Sequence, residues 1–193
     1  MTRESGFTFL ELLFTTALIA TVLSLALPVF SDAIDAQRTA SAARYLAGRV
    51  YLARMEAVKR STSVGLKFEE EGSDYAFTAH VDGNANGIRT LDIRTGVDWL
   101  LMDRERLAYN FPGVRFGLMP GVPDADGASD KANGDGVRIG SARVLTLGAN
   151  GTATAGTLYV HGRQRQYAVR VFGVTGRTRV LEYNATSRTW VSR

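Results

Sequence analysis

Cysteine is absent from the 193 residues, which removes disulfides, thiolate metal sites and a cysteine nucleophile from consideration. Histidine is nearly as scarce: His80 and His161 stand alone and far apart, so neither a histidine metal centre nor a Ser–His triad has its parts. No Walker-type phosphate loop and no zinc-ligand spacing appears. Enzymatic activity and bound cofactors are therefore not expected. Charge is scarce in one place only. Between Phe7 and Phe30 the single ionisable side chain is Glu11, whereas the rest of the chain is polar.

That apolar run of 24 residues would span roughly 36 Å as a helix, against a bilayer core of about 30 Å. It exceeds the apolar stretch of a cleavable secretory signal, and "MTRESG" is a short leader in front of it. A plain signal anchor explains the length but gives no reason for Glu11, because an ionised carboxylate within such a span costs on the order of 3 kcal/mol on insertion scales. Once the run is set aside, roughly 160 residues remain, enough for one domain with a real core.

The motif "GFTFLEL" at 6–12 resembles the class III signal of type IV pilins and type II secretion pseudopilins. The resemblance implies cleavage by a prepilin peptidase between Gly6 and Phe7, N-methylation of Phe7, and an assembly role for Glu11. Pro28 falls where many pilins carry a helix-bending proline, and a proline inside a helix removes one backbone donor. Cleavage would create an α-amine at Phe7 with an ordinary pKa of about 7.7–8.0, one helical turn from Glu11. In the family picture that glutamate meets the amine of a neighbouring subunit. A buried charge is tolerable when paired and costly when not, so Glu11 would act as a register device.

Beyond Pro28 the helical pattern continues. Ala43, Leu46, Val50, Ala53 and Ala57 recur at helical spacing as one apolar stripe. Arg38, Arg49 and Arg60 fall together on a neighbouring face and read as solvated. From Ser63 the period becomes two: Val64, Leu66 and Phe68, then Tyr75, Phe77, Ala79 and Val81, with "EEEGSD" as the turn between them. Later alternating runs are 143–147, 157–161, 167–172 and 177–183. The segment "VDWLLMDRERLAY" suits either a short helix or a strand. The fold class is α+β: a long N-terminal helix packed on an antiparallel sheet domain, which under the resemblance is pilin-like. The expected divisions are a leader at 1–6, a transmembrane and assembly helix at 7–30, its amphipathic continuation at 31–62 and a β-rich domain at 63–193.

Within that superfamily, "AARYLAGRVYLARMEAVKR", "DGNANG", "GTLYV" and "VTGRTRV" resemble the GspH/FimT branch, while 95–140 matches it poorly. In "DGNANGIRTLDI", Asp82, Asn84 and Asn86 occupy positions 1, 3 and 5 of an EF-type calcium loop, but the twelfth position is Ile93 rather than glutamate. Asn and Gly also build tight turns without metal. No metal is assigned. The acidic stretch "DADGASDKANGDG" reads as a mobile surface loop.

From Gly156 to Arg193 there are seven arginines against one acid, Glu182. Period two places Arg177 and Arg179 on one face of a strand, with Arg170 on the strand before. Tyr167, Tyr183 and Trp190 offer stacking surfaces. The resemblance associates the G-R-x-R element with DNA binding on its FimT side, and an array of guanidinium groups suits phosphates. A solvated edge or an acidic neighbouring subunit fits the same charges. The chain is thus expected to be a minor pseudopilin or pilin, single-pass in the inner membrane with its C-terminal domain in the periplasm. Its expected partners are other pilin subunits and a prepilin peptidase, with secreted cargo or DNA as further ones.

Overall fold

The computed structural model describes residues 6, 8–125 and 135–193. Contacts divide the chain into two compact units, 1–34 and 35–193. Helix α1 runs Phe9–Arg60, with Pro28 inside it rather than at an end. It stops where Ser61 turns left-handed at φ 53°, and the Thr62 amide closes the last turn on the Ala57 carbonyl at 3.2 Å. The strands that follow are β1 (Val64–Glu71), β2 (Asp74–Val81), β3 (Trp99–Arg106), β4 (Arg115–Phe116), β5 (Val137–Arg138), β6 (Val144–Leu147), β7 (Gly156–His161), β8 (Gln166–Val171), β9 (Thr178–Asn184) and β10 (Thr189–Ser192). Two short helices, α2 (Thr90–Thr95) and α3 (Leu107–Asn110), flank β3. This is the α+β class.

The strands form two antiparallel sheets rather than one. The first has the order β3-β2-β1-β6; the second has β10-β9-β8-β7-β4, with β5 also on β7. The β1–β2 hairpin turns on only Gly72 and Ser73, since Glu69–Glu71 belong to the strand. Gly72 supplies the positive φ such a turn requires. The ambiguous segment from Trp99 is a strand that ends in one helical turn.

One core joins the second unit. The predicted stripe Ala43, Leu46, Val50, Ala53 and Ala57 is buried, together with Val64, Leu66 and Phe77 of the first sheet and Leu158, Val160, Val169 and Val171 of the second. Phe116 makes edge contacts with Phe68 and Tyr75 at 5.8 and 5.9 Å, bridging the two sheets. The other face of the second sheet has a small core of its own: Tyr159, Ala168 and Leu181 under Leu118, Val122 and Trp190.

Two sequence expectations change here. Arg49 is not solvated with Arg38 and Arg60; it is half-buried, donates to Glu105, and lies 4.9 Å above the Tyr45 ring. Tyr45 donates to the same carboxylate at 2.6 Å, and burial with that acceptor raises its phenol pKa. The ends of the acidic stretch are also structural. Asp124 accepts from Tyr159 and Arg138, and Asp135 accepts from Tyr75 at 2.7 Å and the Val137 amide at 3.0 Å. Residues 126–134 of the stretch expected to be a mobile loop lie outside the described residues.

Candidate functional site

In the first unit, Gly6 is exposed and Phe7 lies outside the described residues. Helix α1 begins with a reciprocal cap: the Glu11 amide donates to Thr8 Oγ1 at 3.3 Å, and Glu11 Oε2 accepts from the Thr8 amide at 3.4 Å. This is the capping box of a T-x-x-E sequence. Further along, the hydroxyls of Thr15, Thr16, Thr21 and Ser24 donate to carbonyls three or four residues back, so the helix satisfies them itself. Around them Phe9, Leu10, Phe14, Leu27 and Phe30 are all exposed. Among the described residues, no helix is long and apolar enough to cross a membrane.

In the second unit, the register of β8 against β9 sets Arg170 directly opposite Arg179. Val171 opposes Thr178 next, and beyond that pair Phe172 faces Arg177, its amide donating to the Arg177 carbonyl at 2.9 Å. Arg177 stands just before β9 rather than within it. The turn between them depends on Gly176, at φ 57°, where an added Cβ would meet the Gly151 carbonyl oxygen at 2.5 Å. The same Cβ would lie 3.2 Å from Arg54 Nε, so α1 reaches the turn of this hairpin.

The remaining arginines of the C-terminal stretch are distributed differently. Arg163 approaches Asp35 at 3.8 Å, and Arg165 and Arg193 share Glu182 at 3.2 and 2.6 Å. Among the described residues Arg177, Arg179 and Arg188 join no ion pair. The aromatic candidates do not join the arginines. Tyr167 faces the main core. Tyr183 packs on Trp190 at 5.4 Å, and the Trp190 indole donates to the Pro123 carbonyl. The aromatic ring that does stand among the arginines is Phe172, 38% exposed.

The Asp82 loop is held by the protein's own donors. Asp82 accepts from the Asn84 and Gly87 amides at 3.1 and 2.7 Å, and Asn84 Oδ1 accepts from the Asn86 amide at 3.3 Å. Asp98 accepts from Gly83 and Arg89 amides across the loop. The Asp82–Asn84 and Asn84–Asn86 contacts are Asx turns. Among the described residues, no group of three or more His, Asp or Glu is placed to hold a metal ion.

The profile of the family described as Type II transport protein GspH matches residues 42–175. The chain belongs to the GspH family. The match covers α1 from Ala42 onward and the strands through β8, and it ends one residue before Gly176. The pilin-like protein PilA1 of Thermus thermophilus is 43% identical over 89 residues, which is 45% of this chain and 53% of that one. The chain thus spans about half the length of the curated relative it matches. The minor pseudopilin EpsH from the type 2 secretion system of Vibrio cholerae aligns in structure with a TM-score of 0.46 and 15% identity, over 75% of this chain and 97% of that one.

Within this GspH-family chain, two structural features escaped the reading of the sequence. The capping box was legible as T-x-x-E at the start of the apolar run. Phe172 was legible only in part, since alternation from Arg170 puts it on the arginine face, but its opposition to Arg177 depends on the hairpin register.

Proposed function

We propose that the chain is a minor pseudopilin or minor pilin, a structural subunit rather than an enzyme. Prepilin peptidase cuts it between Gly6 and Phe7, and Phe7 is then N-methylated. Residues 7–30 anchor it once in the inner membrane, with 63–193 in the periplasm, and it joins a short filament of the type II secretion kind through that helix. Membership of the GspH family is the observation that carries this reading. The exposed apolar side chains of the first unit support it, because a surface of that kind needs lipid or other helices around it. Glu11 then serves twice: it caps its own helix, and it offers a carboxylate to the α-amine of a neighbouring subunit.

Coexpression with a prepilin peptidase tests the reading by intact mass. The expected product lacks residues 1–6 and carries one added methyl group. Recovery of unprocessed chain beside a processed control pilin would refute it.

A second reading is favoured by the opposition of Arg170 and Arg179: the β8–β9 hairpin binds DNA outside the inner membrane. The register sets the two arginines opposite each other, and guanidinium groups in an array suit phosphate oxygens. Mobility shift with duplex DNA tests this. An Arg177→Ala/Arg179→Ala variant that binds as well as wild type would remove it.

A further inference from the structure

Four side chains share one face at the end of the β8–β9 hairpin. Arg170 is opposed to Arg179, and Phe172 is opposed to Arg177. Like charges directly across an antiparallel pair are destabilising. Here the guanidinium carbons of both Arg170 and Arg179 lie 5.7 Å from the centroid of the Phe172 ring. That is within the reach of a cation–π attraction. One ring therefore serves two cations on adjacent strands and holds them on a single side of the sheet.

Resting on the DNA reading above, we propose that Phe172 is the positioning residue of a phosphate clamp, presenting Arg170 and Arg179 together to the backbone of duplex DNA. An arginine side chain is long and loses rotamer freedom when it orders on a ligand. Ordering it beforehand against a ring removes part of that cost from the binding step. Phe172 is suited to the task because it is only partly exposed and lies outside both buried cores. It touches the arginines rather than the DNA, so its loss lowers affinity while leaving the number of neutralised phosphates unchanged. Arginine loss has a different signature, because each phosphate contact contributes about 0.9 to the slope of log K against log salt.

The test measures binding of the full chain in detergent to a labelled 20-base-pair duplex, and to one of its single strands, across a salt series. Wild type, Phe172→Leu, Phe172→Tyr and Arg179→Gln are compared. Phe172→Leu is expected to weaken duplex binding roughly two- to tenfold with an unchanged salt slope. Phe172→Tyr, which keeps the ring, restores wild-type affinity. Arg179→Gln reduces the slope by about one. If wild type binds no duplex at low salt, the DNA reading falls and this inference with it. If wild type binds and Phe172→Leu matches it, only the clamp falls. The clamp is equally overturned if Phe172→Tyr is as weak as Phe172→Leu, or if Phe172→Leu weakens the single strand alone, which would make the ring a base-stacking surface.

Discussion

Thr8 and Glu11 cap the helix reciprocally, the threonine hydroxyl taking the Glu11 amide while the Glu11 carboxylate takes the Thr8 amide. Both groups lie beyond the proposed Gly6–Phe7 cleavage site, so the cap survives processing. A capping box accepts glutamine as well as glutamate at this position. The charge pairing proposed for the filament does not.

Glu11→Gln therefore separates the two roles. The variant is expected to be processed normally and to keep its helix, yet to be lost from filaments. Glu11→Ala also loses the carboxylate half of the cap, while Thr8 Oγ1 still takes the amide at position 11. Quantifying each variant in sheared filaments against total membrane protein checks this. Normal incorporation of Glu11→Gln would show that capping, and not pairing, is what the filament needs.

His80 gives the domain a pH dependence of known sign. It is buried with Nε2 against Thr78 Oγ1 at 3.0 Å. Burial lowers its pKa, Lys67 acts in the same sense, and Asp98 and Glu69 oppose them. The unfolded chain, with an ordinary histidine pKa near 6.5, therefore binds the proton that the folded chain resists. The stabilisation is fully present above that value and is lost as pH falls toward the folded pKa. Urea midpoints are expected to drop between pH 7.5 and 5.5, with a slope no steeper than about 1.4 kcal/mol per pH unit. His80→Gln should flatten that slope, and an unchanged slope would assign the dependence to other groups.

The cluster at Tyr45, Arg49 and Glu105 is expected to couple strongly. Both charges are about a quarter exposed, so they are screened less than a surface pair. Removing Glu105 leaves Arg49 half-buried without its counter-charge and Tyr45 without its acceptor. Glu105→Ala is expected to cost on the order of 1–3 kcal/mol. In a double-mutant cycle with Arg49→Ala the two losses should fall short of additivity, because they break one interaction. Additive losses would mean that the groups act separately.

How much of this was legible depends on the range of each signal. The stripe from Ala43 to Ala57 carries a 3.6-residue period, and the long strands carry a period of two, so both were readable. The two-residue strands β4 and β5 carry no period, so their pairing along β7, at the edge of the second sheet, was not readable. Arg49 was misassigned to solvent because its partner, Glu105, is 56 residues away. Tyr167 was readable in principle, since alternation with Val169 and Val171 puts it on the buried face. Arg170 was placed near Arg179 from the sequence, but only the register makes them direct opposites.

Asp35 makes a tie that reaches further along the chain than Arg49–Glu105, 128 residues to Arg163, and it is readily tested. It is the first residue of the second unit and is 6% exposed. Its carboxylate accepts the Arg163 amide at 2.9 Å and the Gln164 amide at 3.4 Å, both in the β7–β8 turn. Gly162 makes room for the contact, since a Cβ there would come within 2.8 Å of the same carboxylate. Asp35→Ala leaves two turn amides without their acceptor, at about 1–3 kcal/mol for a buried donor. For a chain of this size that corresponds to a melting temperature lower by roughly 2–10 °C. Gly162→Ala should destabilise in the same way by displacing the carboxylate, and Asp35→Asn should recover part of the loss, because its amide oxygen still accepts. Calorimetry of the three variants decides the matter: a wild-type melting temperature in Asp35→Ala would mean that water replaces the carboxylate at no cost, and that the turn is positioned by β7 and β8 alone.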